Sequence, residues 1–183
     1  MPERWRILES RVESLTGPFR LRRDRAILSS SGVTHEFLLL QSPDWVNVVP
    51  VTEGGEIVMV RQHRLGTDML ELEIPGGLID AEDGSPLAAA QRELLEETGL
   101  RAERWRLIGT VAPNPALLNN LCYTYLAEGC RHVDKPQPDA TESLDVVELT
   151  WLEIQDLVQT GEIRHALVIS ALFWYDLDSR KSG

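Results

Sequence analysis

Pro75-Gly76-Gly77-Leu78-Ile79-Asp80-Ala81-Glu82-Asp83-Gly84-Ser85-Pro86-Leu87-Ala88-Ala89-Ala90-Gln91-Arg92-Glu93-Leu94-Leu95-Glu96-Glu97-Thr98-Gly99-Leu100 is the stretch that decides the fold. Its punctuation is that of a glycine loop feeding a helix. Ser85 stands where a helix needs an N-cap, Pro86 suits the first helical position and Gly99 suits the C-terminal exit, so the pattern predicts a helix over about 86–98. On such a helix Glu93, Glu96 and Glu97 are spaced i, i+3, i+4 and share one face. Leu87, Ala90, Leu94 and Thr98 fall on the other side, where they would pack on a sheet. Three neighbouring carboxylates repel, and Arg92, one turn before Glu96, is the base placed to relieve them. Such a face is either solvated or holds a cation; hard oxygen ligands at this spacing suit Mg²⁺ or Mn²⁺.

Outward from this segment the chain reads as strands. Arg25–Leu28 and Thr34–Gln41 flank Ser29-Ser30-Ser31-Gly32, a hairpin turn. Trp45–Thr52 and Ile57–Arg64 flank Glu53-Gly54-Gly55-Glu56, read as a second hairpin with the Gly-Gly of a type I′ turn. A shorter strand, Met69–Ile74, stops at Pro75. Beyond the helix, Arg104–Ala112, Leu121–Ala127 and Leu144–Trp151 read as strands, Glu153–Thr160 and Arg164–Leu177 as closing helices. Strands with interspersed helices predict an α/β domain with a mixed β-sheet between helical layers over residues 44–183, preceded by a β arm over residues 1–43.

The 183 residues carry 18 Lys+Arg against 29 Asp+Glu, a formal charge of −11. That balance argues against nucleic acid and against an anionic membrane as partners. The charge is concentrated. Glu71, Glu73, Asp80, Glu82, Asp83, Glu93, Glu96 and Glu97 lie in one 27-residue segment whose single base is Arg92. Asp139, Glu142, Asp145, Glu148, Glu153 and Asp156 form a second acidic run without a base, whereas residues 1–25 hold seven arginines. No segment has the ~18 apolar residues of a membrane span. Met1-Pro2-Glu3-Arg4 begins no apolar signal core, so a cytoplasmic protein is expected. Cys122 and Cys130 match no metal or redox spacing and are expected as free thiols, a disulfide being the alternative.

The segment from Gly77 to Leu100 resembles the Nudix box, G-x5-E-x7-R-E-U-x-E-E-x-G-U with U apolar. All seven defined positions from Arg92 to Leu100 match. One departure is visible: the acid at the sixth position after Gly77 is Asp83 rather than Glu, and eight residues rather than seven separate it from Arg92. The resemblance implies a Nudix-type α/β/α sandwich and a hydrolase of nucleoside diphosphates linked to another moiety. By position it makes Glu93, Glu96 and Glu97 metal ligands for two or three Mg²⁺ ions, with Mn²⁺ a substitute. It adds the Gly76 carbonyl as a further ligand and has Arg92 orient the glutamates. Water would attack the diphosphate, with the metals neutralising its charge.

Val58-Met59-Val60-Arg61-Gln62-His63-Arg64 followed by Leu70-Glu71-Leu72-Glu73-Ile74-Pro75-Gly76-Gly77 is similar to the ADP-ribose pyrophosphatase and nucleoside-diphosphate-sugar branch. That similarity implies Arg61, Arg64 and Glu73 as contacts to diphosphate and ribose. Trp45 is a candidate for stacking on a base or sugar, with core packing the alternative. Asn119, in the loop after Pro113-Asn114-Pro115, offers an amide for sugar hydroxyls. In this branch the general base comes from a late acidic loop, which implies Glu142 first and Asp139 second; Glu96 is the other candidate. The expected reaction is cleavage of ADP-ribose or a related nucleotide sugar to nucleoside monophosphate and sugar phosphate. GDP-mannose and UDP-sugars are the nearest alternatives, and a non-catalytic nucleotide-binding regulator is the alternative of another class. The resemblance also implies a homodimer in which the N-terminal strands contact the partner.

Overall fold

The computed structural model describes residues 3–15, 17–137 and 143–181. Asp139 and Glu142 lie outside the described residues. Contact density divides the chain into two units, one formed by the residues up to Pro43 with Ala112–Leu121, the other by Asp44–Val111 with Cys122 onward.

The first unit is a three-stranded antiparallel sheet, β1 (Arg6–Ser14), β2 (Arg20–Leu28) and β3 (Val33–Gln41), with β2 central. The hairpin at Ser29–Gly32 is present, with Gly32 at φ 71° and its N–H donating to the Leu28 carbonyl. Sequence patterning reveals neither β1 nor residues 20–24 of β2; all nine β1 residues are exposed and no polar–apolar alternation marks them. Leu40 N–H donates to the Leu117 carbonyl, and the Asn119 amide oxygen accepts from Ser42 N–H, so the Ala112–Leu121 segment is fastened to the end of β3.

The second unit is a mixed sheet with helices on both faces. β4 (Trp45–Thr52) pairs in parallel with β10 (Cys122–His132) and antiparallel with β7 (Gly76–Leu78). β5 (Ile57–Arg64) pairs antiparallel with β6 (Met69–Glu73) and with β11 (Asp145–Leu149), while β10 carries β9 (Arg104–Val111) and β8 (Leu100–Arg101). Three helices follow in chain order: α1 (Pro86–Thr98), α2 (Trp151–Thr160) and α3 (Ala166–Ser179). The run Val46-Asn47-Val48-Val49 reads as almost continuously apolar because β4 is covered on both faces. Val46 and Val48 pack with Ala89, Ala90 and Leu94 of α1, whereas Val49 packs with Ile154 of α2 and Val168, Ala171 and Leu172 of α3.

Two local expectations change. β4 and β5 are joined by a tight turn, but only Val51 pairs with Ile57 before the strands part to take other neighbours. Only Gly55 has positive φ (94°), so the turn is not type I′. Thr52 instead holds it, its N–H donating to the Glu56 carbonyl and its hydroxyl to the Glu56 carboxylate. β10 continues past Ala127 to His132 through a bulge at Gly129, whose φ of 67° lets the strand resume its pairing.

Both cysteines are free and buried, on β10. Burial pushes the thiols of Cys122 and Cys130 up to about 12. At pH 8 the folded protein is therefore expected to resist iodoacetamide at both positions and to react at both once unfolded. Mass spectrometry before and after denaturant checks this, and rapid labelling of the folded chain would contradict it.

Candidate active site

The acids of α1 are presented by a helix that the sequence caps at both ends. The Ser85 hydroxyl accepts from Ala88 N–H at 3.1 Å, and Gly99 leaves the helix at φ 70°. Such an N-cap contributes about 1 kcal/mol. Ala89, Ala90, Leu94 and Thr98 are buried. The three glutamates, though on adjacent positions, sit at graded depths. Glu97 is buried to 2%, the Glu93 side chain is 13% exposed and that of Glu96 is 44% exposed.

The glycine loop meets this helix closely. Gly76 N–H donates to Glu97 Oε2 at 3.0 Å. A Cβ on Gly77 would lie 2.4 Å from Glu93 Oε1, and one on Gly76 would lie 2.2 Å from the Val46 carbonyl oxygen. Only glycine at both positions lets the loop backbone lie between β4 and the carboxylates.

Arg92 is the hub of the acids. Its Nε and Nη2 donate to the two oxygens of Asp83 at 2.8 and 2.9 Å, its Nη2 also to the Leu78 carbonyl at 3.1 Å, and its Nη1 to Glu93 at 2.9 Å and Glu96 at 3.0 Å. The Asp83 carboxyl is held below its usual range chiefly by the Arg92 hydrogen bonds, and the guanidinium is shifted up in turn, first by Asp83. Asp83, the residue that departs from the family pattern, is thus the acid that grips Arg92, with its side chain only 6% exposed.

Among the described residues no three acids, histidines or cysteines converge as a ready cage for a metal ion. Arg92 Nη1 lies between Glu93 and Glu96 instead. In kind the donors fit a hard divalent cation: carboxylates, among them the deeply buried Glu97, packed against a glycine cradle that any side chain would fill.

The two arginines of β5 point apart. Side chains alternate along a strand, so Arg61 and Arg64 project from opposite faces. Arg64 lies on the side of Gln62 and forms a bidentate pair with Glu73, Nε to Oε1 at 2.9 Å and Nη2 to Oε2 at 2.7 Å. Arg61 lines a groove of about 400 Å³ with Leu72, Val147, Leu149 and the α2 acids Glu153 and Asp156. Trp45 starts β4, half-buried and in register with Leu78 and Cys122. Asn119 belongs to the first unit, where its amide oxygen is used by Ser42.

Residues that sequence reading passed over also build this region. Asn47 sits on the α3 side of β4, its amide nitrogen donating to the Leu167 carbonyl at 3.3 Å. The signal was available: one polar residue inside a strand that is apolar on both faces. Glu71 receives Arg164 and Thr67, and these hydrogen bonds, Arg164 first, hold its carboxyl below the ordinary range.

Comparison with known proteins agrees with this geometry. Residues 42–172 match the NUDIX domain. The chain is 31% identical over 158 residues to the ADP-ribose pyrophosphatase of Mycobacterium tuberculosis, spanning 84% of this chain and 74% of that protein. It is 30% identical over 140 residues to the ADP-ribose pyrophosphatase of Bacillus subtilis, spanning 76% and 75%. In fold it superposes on the crystal structure of an ADP compounds hydrolase with a TM-score of 0.86 and 23% identity, covering 99% of this chain and 97% of that one. Domain, relatives and fold converge: the chain belongs to the Nudix family and is a Nudix pyrophosphohydrolase, an enzyme that hydrolyses nucleoside diphosphate compounds.

Proposed function

We propose that the enzyme hydrolyses the diphosphate bond of ADP-ribose or a related nucleoside diphosphate sugar, with Mg²⁺, to nucleoside monophosphate and sugar phosphate. The observation that carries this reading is the packing of the Gly76-Gly77 backbone against Glu93 and Glu97, with Arg92 fixed by Asp83. The two relatives named as ADP-ribose pyrophosphatases support the choice of substrate. Glu93, Glu97 and the Gly76 carbonyl would hold the cation, with Glu96 as a further ligand. When bound, Mg²⁺ supplies charge neutralisation of the diphosphate and a more acidic water.

The chain's own groups do the rest. Asp83 and the Leu78 carbonyl fix the guanidinium of Arg92, and Arg92 in turn sets the carboxylates of Glu93 and Glu96. Glu142 is the first candidate to take a proton from water and Asp139 the second; Glu96, the most exposed of the three helix acids, is the alternative. Arg64, held by Glu73, presents donors to a phosphate oxygen. Arg61, Trp45 and Asn119 are the further candidate substrate contacts. A hydrolysis panel of ADP-ribose, GDP-mannose, UDP-glucose and diadenosine polyphosphates at fixed Mg²⁺ tests the reading. The largest kcat/KM is expected for ADP-ribose. A larger value for GDP-mannose or UDP-glucose would move the assignment to those sugars, and no turnover of any would leave a nucleotide-binding regulator.

The protein is further proposed to be a cytoplasmic homodimer. No helix among the described residues is long and apolar enough to cross a membrane. The three-stranded sheet exposes Ile7, Val12, Val33 and Leu38, each between 46% and 55%. Apolar side chains on a small sheet are what a symmetric partner would cover. Sedimentation equilibrium is expected to give twice the 20.6 kDa chain mass, and a single-chain mass would refute the dimer.

A further inference from the structure

A second polar cluster lies in the same unit as α1, at the start of α3, and we propose that its Arg164 and His165 form a phosphate-binding subsite beside the Arg64–Glu73 pair. The proposal rests on the reading above that a diphosphate is cleaved beside the α1 acids, and it extends the binding surface to residues of the α2–α3 connection.

The cluster is layered. Arg164 donates from Nε and Nη2 to Glu71 Oε1 at 3.2 and 2.9 Å, as Arg64 does to Glu73. Glu71 and Glu73 are only 4% and 3% exposed. The guanidinium side chains above them are 48% and 44% exposed. The carboxylates therefore lie beneath the guanidinium groups. Nη1 of Arg164 has no partner among the described residues. His165 stands beside Glu73, its Nδ1 buried without a hydrogen-bond partner at 3.7 Å from Oε2. Each ion pair is neutral as a whole, so an anion is recognised through oriented donors rather than net charge. Planar forks already fixed from behind match pairs of phosphate oxygens and lose little freedom on binding.

The cluster shares a scaffold with the glycine loop. Glu73 precedes Gly76 by three residues, so their Cα atoms are at most about 11 Å apart. Asn47 joins the two sides: its amide nitrogen holds the Leu167 carbonyl in the first turn of α3, and its Oδ1 lies 2.9 Å from where a Gly76 Cβ would be. Asn47 thus ties the start of α3, where Arg164 stands, to the glycine loop on one scaffold.

The test separates this role from a mere clamp between β6 and α3. Inorganic pyrophosphate is titrated calorimetrically, without divalent cation, into the wild-type protein, into Arg164→Lys and into the double variant Glu71→Gln/Arg164→Met. The double variant removes both charges together, so no buried carboxylate is stranded. Wild type is expected to saturate, and both variants to bind at least about tenfold more weakly. With Mg²⁺, KM for the best nucleoside diphosphate sugar is expected to rise about tenfold with kcat within twofold. If the double variant fails to fold by circular dichroism, Arg164→Lys, which keeps the charge and loses the fork, decides alone. Equal pyrophosphate affinity in wild type and folded variants, or no binding by wild type, overturns the subsite. Binding by wild type without turnover of any nucleotide sugar would instead remove the proposed reaction and leave the subsite standing.

Discussion

Glu97→Gln is expected to lower kcat for a nucleoside diphosphate sugar by more than about 100-fold, beyond the upper end of what partners outside a metal's direct ligands cost. Glu97 is the deepest of the helix acids, 2% exposed, and its Oε2 accepts from Gly76 N–H. Glutamine has the same shape and can keep that hydrogen bond through its amide oxygen. What it loses is the charge that would face a cation in the glycine cradle. The melting temperature is therefore expected to stay within a few degrees of wild type, because an isosteric neutral side chain removes a buried charge without opening a cavity. Steady-state kinetics with Mg²⁺ and a thermal melt on the same preparation check both halves. Unchanged turnover would take Glu97 out of the metal site.

Asp83→Asn should cost less, about 10–100-fold in kcat/KM, the range for a group that orients a ligand rather than binding the metal. Asp83 engages both Nε and Nη2 of Arg92, while Nη1 of the same guanidinium reaches Glu93 and Glu96. Asparagine has one acceptor where aspartate has two, and no charge, so the guanidinium loses its fixed orientation and the glutamates lose theirs. The pH dependence has a definite sign. The Asp83 carboxyl titrates below its ordinary 3.8 in the folded protein, so its stabilisation is fully present above that value and is lost as pH falls through the lower folded one. The stability difference between wild type and Asp83→Asn is accordingly expected to be constant from pH 5 to 8 and to shrink below pH 3.8. Identical kinetics in the variant would show that Arg92 needs no such anchor.

This pair also explains the departure in the loop. A loop one residue longer brings its acid in on a longer tether, and aspartate is one methylene shorter than glutamate. In this loop the acid meets Arg92 with both oxygens, at 2.8 and 2.9 Å. Sequence alone could register the insertion and the substitution; only the folded loop shows that Asp83 reaches Arg92.

Legibility followed the physics of each element. α1 was readable to the residue because Ser85, Pro86 and Gly99 are local signals that act within one turn. The buried strands were readable because Val46–Val51 and Ile57–Val60 must be apolar on both faces. β1 was not, since an exposed edge strand of Arg, Glu and Ser needs no apolar pattern. The β4–β5 hairpin is present but short, because a Gly-Gly turn fixes where a chain reverses but not how long the strands remain paired. For the site, residues tied by helical spacing were visible in advance. Asn47, Glu71, Arg164 and His165 were not, because their proximity is created by packing β4, β6 and α3 together, up to 120 residues apart in the chain. Arg61 and Arg64, close in sequence, are sent to opposite faces by strand alternation.

The central claim is that the acids of α1 serve a divalent cation in cleaving a nucleotide sugar. The most direct measurement is a phosphorus NMR time course of purified protein with ADP-ribose, first with chelator and then with excess Mg²⁺. The diphosphate resonances are expected to persist under chelation and to be replaced by two phosphomonoester signals, AMP and ribose 5-phosphate, once Mg²⁺ is added. Persistence of the diphosphate signals with Mg²⁺ present, or their equal loss in chelator, would contradict it.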